Sequence, residues 1–146
     1  MYAVRSSLKA KLNTLKTGGD APISGLGNVA DYGCTDSCLE SVEHVVFPIA
    51  AILMGDSRED VERYTPALEK HYIEIDLLLF VRGKGNVAST DTIAIALRRA
   101  LWEQNLGLST VITARVEEQE PLQQIHDELW YSRIVWRCIM FETTTG

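Results

Sequence analysis

The sequence predicts an α+β fold, an antiparallel sheet of about four strands with two helices packed on one face. Three observations predict it. Apolar residues recur at helical spacing near the N-terminus and again beyond residue 89. Two long segments alternate between apolar and polar with period two, and glycine- or proline-bearing turns separate these stretches. The 146 residues read as one domain, 1–146, long enough to bury a sizeable core.

Val4, Leu8, Leu12 and Leu15 recur at spacings of four, four and three, which predicts a helix over about residues 2–16. Gly18-Gly19 stops it. Residues 17–44 show no period and hold five glycines and Pro22. A structureless stretch of that length is usually a functional arm or a disordered segment. Its Ile23, Leu26, Val29 and Tyr32 would anchor it on a partner or on its own domain.

From Val45 to Met54 the chain is almost continuously apolar, as in a strand covered on both faces. Pro48 donates no ladder hydrogen bond, so the strand lies at an edge or begins at Ile49. Gly55 to Pro66 reads as a polar loop. Glu69 to Arg82 is the clearest strand, with His71, Ile73, Ile75, Leu77, Leu79 and Val81 on one face. Lys70, Tyr72, Glu74 and Asp76 take the other face, which turns apolar at Leu78 and Phe80.

Gly83-Lys84-Gly85-Asn86 forms the exit turn. Ser89, Thr90 or Asp91 caps a second helix to about Asn105, with Ile93, Leu97, Ala100 and Leu101 buried and Gly107 ending it. Thr110 to Glu118 alternates with Ile112, Ala114 and Val116 inward. Pro121 to Leu129 reads as a loop with a short helical turn. In the closing strand Ile134, Trp136, Cys138 and Met140 share one face. Arg133, Val135, Arg137, Ile139 and Phe141 share the other.

Two helices cover only one side of such a sheet. The second side would carry Leu78, Phe80, Val135, Ile139 and Phe141, with Ile49 and Leu53 or Ile52 and Met54 from the first strand. Glu74, Asp76, Arg115, Glu117, Arg133 and Arg137 join them, with opposite signs placed to pair across strands. Monomers rarely expose that much contiguous apolar surface. An oligomer interface or a cover supplied by the 17–44 loop would each account for it. The interface reading selects Ile49, Leu53, Leu78, Phe80, Arg115, Arg133, Val135, Arg137, Ile139 and Phe141 as contact residues.

Charge narrows the partners. The net charge is −6, yet the first sixteen residues carry four bases and no acid. The rest therefore nets −10, ten bases against twenty acids. Such a body repels phosphates at long range, which argues against a dedicated nucleic-acid binder. No stretch approaches the ~18 apolar residues of a membrane span, and no signal-peptide pattern opens the chain. Three cysteines make a poor disulfide framework, so reduced thiols and folding in a cytoplasm are expected.

Catalytic constellations are faint. Cys34 and Cys38 with His44 could pair as thiol and base or give metal ligands, but no orienting partner or second ligand pair follows at a known spacing. Asp56-Ser57-Arg58-Glu59-Asp60 offers oxygens without calcium-loop spacing and reads as a solvated charged loop. Gly83-Lys84-Gly85-Asn86 lacks the phosphate-loop pattern. Trp102, Trp130 and Trp136 are too dispersed for a base-stacking platform, and Cys138 reads as a small apolar core residue. No enzyme, metal or cofactor is expected.

Four segments carry a resemblance: Tyr72 to Val81, Asp91 to Leu97, Leu106 to Ile112, and the closing strand Ser132 to Phe141. In order and hydrophobic pattern the chain resembles the tail terminator (tail completion) proteins of long-tailed bacteriophages over nearly its whole length. The resemblance implies a structural virion protein of the tail–neck region, assembled in the host cytoplasm. It implies a ring, hexameric in that family, that caps the tail tube, ends its polymerisation and joins the head-side connector. Its partners would be further copies of itself, the tail tube protein and neck proteins. Genomic DNA would pass through the ring without specific binding. Another neck or head–tail joining protein, or a small α+β ligand-binding domain, are the alternatives. The glycine-rich 17–44 stretch and the Cys34/Cys38 pair depart from the family pattern.

Overall fold

Helix α1 (Tyr2–Leu15) opens a computed structural model that describes residues 2–31, 49–108, 110–126 and 128–143. The predicted stripe of α1 is its buried face: Val4, Leu8 and Leu12 are fully buried and Leu15 nearly so. The helix ends where Gly18 turns left-handed, at φ +88°. A Cβ on the next residue, Gly19, would stand 2.3 Å from the Thr14 carbonyl oxygen, so the chain can fold back here only on glycine. The backbone N–H groups of Ala21 and Ile23 then satisfy the Thr14 and Leu15 carbonyls, at 2.9 and 2.7 Å.

The remaining elements are β1 (Leu26–Asp31), β2 (Ala50–Thr65), β3 (Leu68–Arg82), α2 (Ser89–Ala100), β4 (Val111–Gln119), β5 (Gln123–His126) and β6 (Leu129–Thr143). They build one six-stranded sheet in the order β1-β2-β3-β6-β4, with β5 also paired to β6. All neighbours are antiparallel except β1 and β2, which run parallel. The fold is thus α+β with two helices and a mostly antiparallel sheet, but of six strands rather than four.

Two further strands and one extension account for the difference. Leu26–Asp31, expected within an irregular arm, pairs with the start of β2 from Leu26↔Ala50 to Asp31↔Met54. Gln123–His126, expected as a helical turn, pairs with Tyr131 to Leu129. The polar stretch after Gly55, expected as a loop, continues β2 along β3 to a two-residue turn at Pro66-Ala67, where Thr65 pairs with Leu68. The Thr65 hydroxyl accepts the Ala67 N–H at 3.2 Å and closes that turn. Val45 to Pro48, and Cys34, Cys38 and His44, lie outside the described residues.

The two faces of the sheet have different contents. On the inner face Ile52, Met54, Ile73, Ile75, Leu77, Leu79, Val81, Ile134, Trp136, Cys138 and Met140 form one buried cluster with the stripes of α1 and α2. Removing most of one such leucine typically costs about 2–5 kcal/mol. A bulge lies between Met54 and Ser57, where two β2 residues oppose the single Asp76. It reverses the parity of β2. Before it, Ala51 and Leu53 face outward, opposite Phe80 and Leu78; after it, Arg58 and Asp60 do, opposite Glu74 and Tyr72. Arg5 of α1 braces this point, bonding Asp31 of β1, the Ser57 hydroxyl and the Met54 carbonyl.

Helix α2 stops at Ala100 rather than near Asn105, because Leu101 leaves helical geometry and Glu103 and Leu106 adopt positive φ. Ile93, Leu97 and Leu101 are buried as expected. A second bulge, between Val111 and Thr113, overturns the inward assignment of Ile112, which is 60% exposed, while Val111 turns inward. Ile49 also differs from expectation. It packs with the helix-side core, its Cδ1 3.4 Å from where a Cβ on Gly25 would lie, and so is not on the outer face.

Candidate functional site

The outer face of the sheet divides into two parts. Near the start of β2, Ala51, Leu53, Leu78, Phe80 and Leu129 form a second apolar cluster, with Ala30 and Tyr131 against it. The Phe80 and Tyr131 rings stack at 5.7 Å. Leu53, Leu78 and Phe80 are fully buried and Val135 is 2% exposed. These four were expected on a bare contact face; they are buried within the single chain instead. Of the ten expected contact residues, Arg115 is exposed, and Arg133, Arg137, Ile139 and Phe141 are half-buried on this face.

A charged belt crosses the middle of the face. Glu74 on β3 accepts from Arg137 of β6 at 3.0 Å and from Arg58 of β2 at 3.1 Å. Asp76, two residues on, accepts from Arg58 at 2.8 Å and lies 3.2 Å from Arg133 Nε. Arg133 continues to Glu120 at 2.8 Å. Three arginines and three carboxylates thus alternate, with Arg58 of β2 and Arg133 and Arg137 of β6 flanking Glu74 and Asp76 of β3, and Glu120 joining from the β4–β5 connection. The Asp76 side chain is only 3% exposed, so its partners are guanidinium groups rather than water. Hydrogen bonding from Arg137 first, and then from Arg58, holds the Glu74 carboxyl below the usual carboxylate range. Arg58 is in turn pushed up, chiefly by its bond to Asp76.

The cross-strand pairing of Glu74 with Arg137 and of Asp76 with Arg133 matches the placement expected from sequence. The role of Arg58 was not legible, because its segment looked like a loop. Arg115 instead bonds Glu117 of its own strand at 2.8 Å and lies 5.7 Å from the Trp102 ring centroid.

Beyond the belt, towards the hairpin turn, the face becomes aromatic and aliphatic. Tyr72 pairs with Ile139 and Lys70 with Phe141. Tyr64 meets Phe141 edge-on at 5.1 Å and is 60% exposed. Lys70 Nζ sits 4.9 Å over the Tyr72 ring. Tyr64, Tyr72, Ile139 and Phe141 therefore form a partly exposed patch across the outer ends of β2, β3 and β6, with the charged belt on one side.

The other candidate features take simpler places. Asp56 to Asp60 lie along β2, with Arg58 turned to Glu74 on one face and Glu59 to His71 on the other, so their oxygens diverge. Among the described residues no group of three or more His, Cys, Asp or Glu side chains is placed to hold a metal ion. Lys84–Asn86 is a single 3₁₀ turn after Gly83, fastened by the Asn86 amide to the Arg82 carbonyl at 2.9 Å. Cys138 is buried, and desolvation pushes its thiol up to about 12, as befits a core side chain. An open cleft of about 590 Å³ lies between the start of α2 and the β4–β5 connection. Its charged residues are of both signs, Asp91, Arg98 and Glu120, and Glu120 is already bound to Arg133.

No protein-family model matches the sequence, and no curated protein does. Among the described residues no helix is long and apolar enough to cross a membrane.

Proposed function

We propose that this chain is a structural subunit of a phage tail or tail-derived particle. Copies of it would close into a ring, of about six chains, at the head-proximal end of the tail tube. The ring ends tube growth and meets the head-side connector, and the genome passes through it. The observation that carries the reading is the patch of Tyr64, Tyr72, Ile139 and Phe141. It is borne on the outer ends of β2, β3 and β6 and lies beside a belt that can register a neighbour. Aromatic anchors with a polar surround are the usual make-up of a protein interface. The acidic balance of the chain beyond residue 16 suits a channel that DNA crosses without adhering. Head-to-tail contacts between two different surfaces of one subunit generate such rings.

The test is assembly in solution, measured by light scattering after size exclusion, with tail tube added as template. Wild type is expected to give a closed species of about six chains. Ile139→Asp is expected to keep the wild-type circular dichroism spectrum and to lose the ring. Rings that survive Ile139→Asp and Tyr64→Asp together would remove this patch from the interface. Open-ended filaments would mark a tube subunit instead. A strict monomer holding a small molecule in the α2 cleft would overturn the assembly reading.

A further inference from the structure

One buried titratable side chain takes no part in the outer face. His71 sits on the inner face of β3, paired laterally with Val61 of β2 and Met140 of β6, and is 9% exposed. Its Nδ1 is 2.5 Å from Glu59 Oε1 of β2. Its Nε2 is 3.6 Å from Glu142 Oε2 of β6 and has no hydrogen-bond partner. The ring therefore stands between carboxylates from both flanking strands. Among the described residues Glu59 and Glu142 are the charged groups in contact with it. Lys70 lies over Tyr72 on the opposite face, and Arg5 of α1 is held by Asp31 and Ser57.

A neutral imidazole carries one N–H. With that proton on Nδ1, bonded to Glu59, the buried Nε2 lone pair faces the Glu142 carboxylate, and two acceptors oppose each other. With the proton on Nε2 instead, Nδ1 and Glu59 are left in the same conflict at 2.5 Å. Only the imidazolium turns an N–H to both carboxylates, bonding Glu59 and pairing with Glu142 across 3.6 Å as an ion pair. We infer that His71 is a proton-dependent clasp that fastens the outer ends of β2 and β6 to β3. The imidazolium gains a partner that the imidazole lacks, so pairing at this end is tighter with the ring protonated and loosens as the second proton leaves. This is a property of the single chain and stands whether or not rings form. Because Tyr64 and Phe141 ride on the same strand ends, the clasp also sets how firmly the proposed contact patch is presented; that consequence rests on the assembly reading.

The experiment is carried out on the full chain. Ring ¹⁵N resonances of His71 report its protonation directly. Hydrogen exchange of the Lys70 and Tyr72 amides towards β2 and of the Met140 amide towards β3, corrected for the intrinsic pH dependence of exchange, reports strand pairing. Protection is expected to fall about two- to five-fold as the ring loses its second proton, the scale of a partly exposed ion pair. Glu142→Gln is expected to reduce that change, and His71→Asn, which keeps a donor towards Glu59, to abolish it. Protection that stays flat while the ring titrates would overturn the clasp. So would a pH response that persists unchanged in His71→Asn. Light scattering on the same samples reads assembly separately, so loss of one reading is not mistaken for loss of the other.

Discussion

Replacing Asp76 by alanine tests the belt at its most buried point. The carboxylate is 3% exposed and receives Arg58 at 2.8 and 3.2 Å, with Arg133 Nε at 3.2 Å. Breaking a fully buried ion pair typically costs about 3–5 kcal/mol, because a charge is stranded out of water. Here the stranded charges are the arginines, and they are not fully buried: their side chains are 44% and 29% exposed. Each also keeps a second acceptor, Glu74 for Arg58 and Glu120 for Arg133. The loss should therefore approach that of hydrogen bonds to a charged group, about 1.5–3 kcal/mol. In a urea titration followed by circular dichroism, the midpoint should drop by roughly 1 M with an unchanged slope. Arg115→Ala, whose partner lies on its own exposed strand, should leave the midpoint in place. If Asp76→Ala were indistinguishable from Arg115→Ala, the belt would be surface decoration and its place in the fold misjudged.

The remaining expectations are these. The native Glu74 carboxyl titrates below its unfolded value, so its contribution is complete above about pH 4.3 and lost as pH falls through the lower native value. Urea midpoints measured at successively lower pH should fall less steeply for Glu74→Gln than for wild type. Phe80→Ala should cost about 3–5 kcal/mol, since the ring is fully buried against Leu53 and Leu78 and stacked on Tyr131. Thermal unfolding would measure this, and a change near zero would show that the cluster is not part of the folded core. In a Cys34→Ser, Cys38→Ser background, Cys138 should resist a disulfide reagent until urea unfolds the chain, its thiol being buried and pushed up to about 12.

Legibility in the sequence followed burial. The stripes of α1 and α2, and the inner faces of β3 and β6, could be read because each presents one face to a core and the periodicity records it. The second half of β2 could not. From Asp56 to Thr65 most side chains are exposed, and what holds this stretch extended is its ladder to β3 rather than its own pattern. The same holds for β5, whose Gln123 and Gln124 are exposed and whose order comes from β6. Bulges defeat alternation outright: counting by twos assigns Ile112 to the wrong face because the backbone inserts a residue beside it. Cross-strand charge pairs were legible wherever both strands were. Arg58, standing between Glu74 and Asp76, became visible only once its segment was known to be a strand. The mixture of apolar and charged residues on the outer face was correct, but the exposure of its lower half was not. Alternation says which way a side chain points, and it is silent on what lies above it.

The bulge at Gly55 and Asp56 divides the long hairpin into two zones under different rules. Below it, β2 obeys the core, and a polar substitution meets packed side chains on either face. Above it, apart from Ser57 held by Arg5 and Tyr64 packed on Phe141, the strand answers to its partner β3, so its residues can change as long as charge and size are matched across the ladder. A chain built this way can alter its outer contacts without renegotiating its interior. Losing one residue at the bulge would undo that separation. Arg58 would turn inward and Glu59 outward, and every position up to the Pro66-Ala67 turn would exchange sides.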